Sequence, residues 1–203
     1  MPMKWIALIF GLTLLAYSHC QEQILLLGNT KQLCFTDSTK RYVSAETLPV
    51  DVTKFRAIMV FSSAHSRLSS ADIDQLIQFV NAGGGLYIGS ENWPLQAEGS
   101  ALTERLYTKS VWTAPESTKK EISNTGIFRE IENFPPGSTP VVFPLDYQLH
   151  VEVWYNDEPL ILSGKLGKGK LLIDGGYSRF YCNALGEFEN EVLSVVLNFL
   201  IGP

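Results

Sequence analysis

Cysteine and histidine are scarce in this sequence, with three of each among 203 residues. No CxxC pair and no cluster of histidines supplies the spacing that zinc ligands need. The sequence therefore predicts no metal site. Cys34 and Cys182, the two cysteines that follow the N-terminal region, either form a disulfide or remain as two buried free thiols.

Positive charge is also in short supply, with 16 Lys or Arg against 21 Asp or Glu and a formal net charge of -5. Proteins that bind nucleic acid present a basic face. The net charge therefore argues against nucleic acid as a partner, and against electrostatic attachment to an anionic membrane. The composition is 45% hydrophobic and 18% charged, which is typical of a globular domain with a substantial core.

Long apolar runs are absent except near the N-terminus, where residues 5–15 follow Lys4. That run is too short to span a bilayer as a helix, and it has the proportions of a secretory signal peptide. We therefore predict a signal peptide over residues 1–20 and one secreted or periplasmic domain over residues 21–203, with no membrane span after cleavage. Because Cys20 closes the segment, the alternative is a lipid-anchored envelope protein acylated at Cys20.

The apolar periodicity predicts a largely parallel sheet. The apolar-rich segments at residues 23–28, 55–61 and 85–89 are typical of strands buried on both faces. Between the second and third runs, apolar residues recur at helical spacing from Ile73 to Val80. This strand–helix–strand unit should have a right-handed crossover and parallel strands.

The rest of the pattern adds two helices and an antiparallel hairpin. The helices are expected over residues 97–107 and 187–200, and the hairpin over residues 159–174. His150 and Glu152 lie two apart on a preceding half-exposed strand, so we expect both on its solvent face. Together these elements predict a single three-layer α/β domain.

The stretch NAGGGLYIGSENW, residues 81–93, raises two functional hypotheses. Its glycines end a helix and precede a strand, which is the reverse of a dinucleotide-binding motif, so no cofactor is predicted. The polar residues after the strand lie where an elbow presents a nucleophile. A hydrolase would use Ser90 or Glu91 with His65 as base. The alternative is that Ser90 and Asn92 cap the next helix or bond to loop backbone.

Ligands of open parallel sheets bind beyond the carboxyl ends of the strands. We expect the loops that follow four of the predicted strands to meet at this edge. Their candidate ligand-binding residues are Asn29, Ser62, His65, Glu91, Asn92, Trp93, Tyr177 and Arg179. The aromatic stretch that contains Tyr177 and Arg179 suits a planar or sugar-like ligand or a protein partner, and it equally suits packing over the end of the sheet.

Three stretches carry a resemblance to a known family: KFRAIMVFSSAHSRLSSADIDQLIQFVNAGGGLYIGS, EPLILSGKLGKGKLLIDGGYSRFYCN and FENEVLSVVLNFL. They resemble the class I glutamine amidotransferase-like superfamily, in particular its non-enzymatic branch in gliding-motility, intraflagellar-transport and exported bacterial proteins. The resemblance implies a flavodoxin-like sheet flanked by helices. Enzymes of the family carry a cysteine on the elbow and a late His-x-Glu. This chain has Ser90-Glu91 at the first place and Tyr177-Ser178-Arg179 at the second, so the family chemistry does not carry over.

The expected topology puts Cys34 and Cys182 at the same end of the sheet, which makes a disulfide between them plausible. The leading functional hypothesis is an exported, non-catalytic domain that binds a small molecule, a carbohydrate or an envelope protein at the carboxyl edge of its sheet. Related sugar-linked members of the superfamily keep the fold without the elbow cysteine, which leaves carbohydrate open. The competing hypotheses are the hydrolase and a structural module of an envelope assembly.

Overall fold

The structure is a computed structural model that describes residues 23–35, 40–107, 112–113, 121–132, 134, 140–141, 149–182 and 189–202. The predicted signal peptide and Cys20 lie outside these residues. Within them, no helix is long and apolar enough to cross a bilayer.

The described chain forms three α-helices and ten strands. The helices are α1 (Ser70–Asn81), α2 (Ala97–Tyr107) and α3 (Glu189–Ile201). The strands are β1 (Gln23–Gly28), β2 (Arg41–Ala45), β3 (Ala57–Phe61), β4 (Gly85–Gly89), β5 (Trp112–Thr113), β6 (Ile122–Asn124), β7 (Pro140–Val141), β8 (His150–Tyr155), β9 (Glu158–Leu166) and β10 (Gly169–Asp174). Short 3-10 helices occupy Gly126–Phe128 and Tyr177–Phe180.

Eight strands form one sheet in the order β2-β1-β3-β4-β10-β9-β8-β6, and β5 pairs with β7 separately. The pairs from β2 to β10 are parallel, and β9, β8 and β6 continue the sheet antiparallel. The prediction of a mixed α/β domain with a largely parallel sheet and an antiparallel part near the C-terminus is confirmed. The last strand along the chain, β10, lies between β4 and β9 inside the sheet.

Apolar side chains cover both faces of the parallel strands. Along β3, Ala57, Met59 and Phe61 belong to a core cluster that includes side chains of α3. The alternate residues Ile58 and Val60 belong to a second cluster, with side chains of α1 and α2. Because successive residues of a strand point to opposite faces, every residue of β3 and β4 is buried, which is why these strands read as continuous apolar runs.

Helix α1 begins directly beyond the carboxyl end of β3. The Ser69 hydroxyl accepts a hydrogen bond from the Asp72 amide at 3.2 Å, and the Asp72 carboxylate accepts one from the Ser69 amide at 2.8 Å. The helix ends at Asn81 with Ala82 as its C-cap, and Gly83 follows at a φ of 119°, a conformation that suits glycine. The glycines of residues 81–93 therefore end a helix and start β4, as predicted.

Cys34 and Cys182 form a disulfide with a Cα–Cα distance of 4.9 Å. The backbone supports it, because the Cys34 amide donates to the Phe180 carbonyl at 3.0 Å and the Cys182 amide to the Gln32 carbonyl at 2.8 Å. The structure thus places the two cysteines in disulfide geometry, as the predicted pairing requires. The bridge ties the loop after β1 to the loop after β10.

Candidate functional site

Tyr177 joins three of the predicted loops at the carboxyl edge of the sheet. Its hydroxyl donates to the Ser62 carbonyl oxygen at 2.6 Å and accepts from the Asn29 side-chain amide at 3.1 Å. Burial raises the pKa of Tyr177, so the hydroxyl keeps its proton for the bond to Ser62. The structure thus brings together Asn29, Ser62 and Tyr177, which the sequence placed after three different strands.

Two buried hydroxyls lie beneath the first residues of α2. The Ser62 and Ser90 Oγ atoms are 3.4 Å apart, and both residues are fully buried. Ser62 Oγ also accepts from the Gly99 amide at 2.8 Å. A Cβ at Gly99 would lie 2.0 Å from Ser90 Oγ, so glycine is needed for this close approach of the helix. Ser90, the first predicted nucleophile, is therefore covered by α2.

Glu91, the second predicted nucleophile, is 1% exposed. Its Oε1 accepts from the Ser178 amide at 2.5 Å, and its Oε2 accepts from the Asn92 amide at 3.3 Å. Burial raises the pKa of the Glu91 carboxyl, while the hydrogen bonds from Ser178 and the charge of Arg179 oppose that rise. Glu91 thereby attaches the turn that begins at Tyr177 to the loop after β4.

Arg179 and Asp174 form a buried ion pair at 2.5 Å, with both side chains 1% exposed. Asp174 also accepts from the Tyr87 hydroxyl at 2.6 Å and from the Gly176 amide at 2.8 Å. Burial, and next the negative charge of Asp174, raise the pKa of Tyr87. On its other side the Arg179 guanidinium lies 4.9 Å from the centre of the Phe134 ring. Arg179 is thus held within the protein by groups the sequence did not identify.

Glu98 is a further buried carboxylate that the sequence analysis missed. It is 2% exposed and lies in the first turn of α2. It accepts from the Ser63 amide at 2.6 Å, the Ser63 hydroxyl at 2.8 Å and the Arg67 amide at 3.2 Å. The sequence did offer an indication of this role, because Glu98 lies in the first turn of a predicted helix, where carboxylates commonly accept hydrogen bonds from backbone amides. Glu98 fixes the loop after β3.

The remaining predicted site residues are exposed. His65 and Asn92 are exposed, and Trp93 has 79% of its surface accessible. Among the residues that the structure describes, no hydrogen bond joins the His65 imidazole to Ser90 or Glu91. The structure therefore does not bring together the base and the nucleophile that the hydrolase hypothesis pairs.

The described ranges hold no group of three or more His, Cys, Asp or Glu side chains placed to bind a metal ion. The buried polar groups at the carboxyl edge instead bond to one another and to backbone. Fold and site together define a mixed α/β domain with an internally bonded carboxyl edge and an exposed tryptophan on it.

No family model and no curated protein matches the chain. Several solved structures are similar to it. The cytoplasmic protein STM3548 from Salmonella typhimurium is similar with a TM-score of 0.61 at 12% identity, over 87% of this chain and 98% of that one. The mmIFT52 N-terminal domain is similar with a TM-score of 0.57 at 14% identity, over 89% and 98%.

A GH42 beta-galactosidase from G. stearothermophilus is also similar, with a TM-score of 0.54 at 13% identity. Here the match covers 87% of this chain and only 30% of the galactosidase chain. At such low identity these likenesses show a shared fold and nothing about activity.

Proposed function

We propose that this chain is an exported, non-catalytic domain of the class I glutamine amidotransferase-like superfamily, with a three-layer flavodoxin-like arrangement, that binds a ligand at the carboxyl edge of its sheet. The mixed sheet and the fold likeness to domain-sized structures support the superfamily. Ser90-Glu91 stands at the elbow where the family enzymes carry cysteine, which supports the loss of catalysis. The signal-peptide composition and the disulfide support export, because disulfides persist in oxidising compartments.

The main support for the proposal is the contrast between buried and exposed side chains in the loop after β4. Ser90 and Glu91 are buried and bonded within the protein, whereas Trp93, two residues further on, is 79% exposed. Trp93 and Val50 are the two exposed large hydrophobic residues among those described. Tryptophan is enriched in residues that dominate binding energy, because it supplies a large rigid contact area with one polar group.

A carbohydrate is the ligand class that this surface suits best. The flat indole offers an apolar face to a sugar ring, and the neighbouring exposed Asn92 offers both a donor and an acceptor to hydroxyl groups. A small planar molecule or an envelope protein would use the same tryptophan in a similar way.

Oligosaccharide binding by a Trp93→Ala variant tests the proposal. We expect the wild-type protein to bind members of an immobilised oligosaccharide panel. The affinity of Trp93→Ala should be lower by at least about tenfold, which corresponds to a contribution of about 1.4 kcal/mol from Trp93. Val50→Ala is the matched control, because it removes the other exposed apolar side chain and should bind like wild type. Equal binding by wild type and Trp93→Ala would refute the role of Trp93.

The alternatives give different results. Turnover of esters, amides or glycosides that is lost in His65→Ala, and also in Ser90→Ala or in Glu91→Ala, would establish the hydrolase. Recovery of a stable complex with envelope proteins, unaffected by Trp93→Ala, would establish a structural module. The intact mass of the mature protein distinguishes cleavage after residue 20, which removes Cys20, from retention of an acylated Cys20.

A further inference from the structure

The edge of the sheet opposite the candidate site is rich in positive charge. We call it the amino edge and define it as residues 40–41, 51–56, 81–85, 165–170 and 200–202, which lie where the parallel strands begin. It holds seven Lys or Arg and one acidic residue, Asp51. The whole chain has 16 Lys or Arg and 21 acidic residues. The chain therefore has a basic surface at this edge although its net charge is -5.

The topology arranges these charges in a row. Arg41, the first residue of β2, lies opposite Gln23, the first residue of β1. Arg56 directly precedes β3, and Lys165 of β9 lies opposite Lys170 of β10. Five strand spacings of about 4.8 Å separate β2 from β9, so the row is about 24 Å wide. A row of this width suits an extended anionic surface better than a single small anion.

Some of these cations also have structural partners. Lys170 donates to the Gly202 carbonyl at 3.0 Å, near the negative end of the α3 dipole. The Lys54 ammonium lies 5.2 Å from the centre of the Phe55 ring. Lys54, Lys165 and Lys168 are nevertheless exposed, so their charges face solvent.

The same edge receives the N-terminal segment of the chain. Residues 1–22 connect to the domain at Gln23, and only two residues separate Cys20 from it, a reach of about 10 Å at full extension. An acyl group on Cys20, the alternative to a secreted domain, would place the amino edge beside the bilayer.

Apolar surface lies next to the basic row. Val50 is 97% exposed, and Gln75 fixes its position by donating to the Val50 carbonyl at 2.9 Å. Close by, a groove of about 480 Å³ has a mixed lining, in which Val52, Phe55 and Phe79 are apolar and Thr53, Arg56, Gln75 and Gln78 are polar or charged. Exposed apolar groups beside lysines and arginines are typical of surfaces that lie at a membrane interface.

We propose that the amino edge binds the surface of an anionic phospholipid membrane, with Lys54, Lys165 and Lys168 facing the headgroups and the Trp93 edge directed away. The width of the charged row, the entry point of the N-terminal segment and the adjacent Val50 together favour a membrane over a soluble anion. This surface is independent of the proposed ligand site, since the two lie at opposite ends of the strands.

Vesicle partition of the full chain tests this proposal. We compare vesicles of phosphatidylglycerol and phosphatidylcholine with vesicles of phosphatidylcholine alone, and take the ratio of the two partition coefficients as the readout. For wild type we expect a clear preference for the anionic vesicles that disappears at high salt. The variant Lys54→Glu/Lys165→Glu/Lys168→Glu should lower the ratio about a hundredfold, because each cation near an anionic leaflet contributes roughly a factor of five.

The matched control is Lys31→Glu/Arg105→Glu/Arg129→Glu, which changes the net charge equally with residues outside the amino edge. This control variant and Trp93→Ala should both keep the wild-type partition ratio. Because Trp93 is not part of the amino edge, the vesicle result does not depend on whether the ligand-site proposal holds. Equal losses in both triple variants would overturn the proposal, as would retention on heparin without any preference for anionic vesicles. If the triple variant fails to fold, Lys168→Glu alone, in the exposed turn between β9 and β10, should lower the ratio at least about fivefold, and an unchanged ratio would overturn the proposal.

Discussion

Removal of the Cys34–Cys182 bridge should lower the free energy of unfolding substantially. The two cysteines are 148 residues apart in sequence, so the bridge closes most of the domain into one covalent loop. Loop-closure entropy for 148 residues predicts a loss of about 5 kcal/mol when the crosslink is removed from the unfolded state. The hydrogen bonds that flank the bridge involve backbone atoms, so they do not depend on the sulfur atoms.

The test is urea unfolding of wild type and of Cys34→Ala/Cys182→Ala, followed by far-UV circular dichroism. The variant should unfold at a lower urea concentration with a larger m value, because an uncrosslinked denatured chain exposes more surface. Reductant should bring wild type to the midpoint of the variant and leave the variant unchanged. A loss below about 1 kcal/mol, with unchanged m, would refute the entropic argument.

Two further predictions concern the carboxyl edge. Because burial raises the pKa of Glu91, this carboxyl keeps its proton to a higher pH in the native state than in the unfolded chain. The free energy of unfolding of wild type should therefore decrease as the pH rises above 4.5, the ordinary pKa of a glutamate. Glu91→Gln should not show this decrease. The free energy of unfolding of both proteins is measured by urea unfolding over a range of pH, and the same pH dependence in both would contradict the prediction. Gly99→Ala should cost about 1–3 kcal/mol because its Cβ would meet Ser90 Oγ. The cost should fall in a Ser90→Ala background, and equal costs in both backgrounds would rule out this contact.

Buried strands and the capped helix could be predicted from the sequence because local residues determine them. The runs that became β1, β3 and β4 are apolar at every core position, and Ser69 with Asp72 marks the start of α1. The meeting of Asn29, Ser62 and Tyr177 followed from their places after parallel strands. The short strand β6 was not identified, since three residues carry too little periodicity.

Contacts that depend on register or on irregular backbone could not be predicted. The contact of Asp174 with Tyr87 depends on the alignment of β10 with β4, and its pair with Arg179 depends on the irregular turn after β10. No local pattern specifies either. The expectation that His150 and Glu152 share the solvent face was wrong, because His150 is exposed and Glu152 is buried. Register shifts in β8 beside Glu152 break the regular alternation of side chains.

The position of β10 has a consequence for when the domain can fold during synthesis. β10 is the last strand to leave the ribosome, yet it is the partner of both β4 and β9. Until residues 169–174 are made, β4 has one open edge and the antiparallel strands have no attachment to the parallel ones. Non-local pairings of this kind form late. The parallel and antiparallel parts of the sheet can therefore join only after residues 169–174 have been made, late in translation.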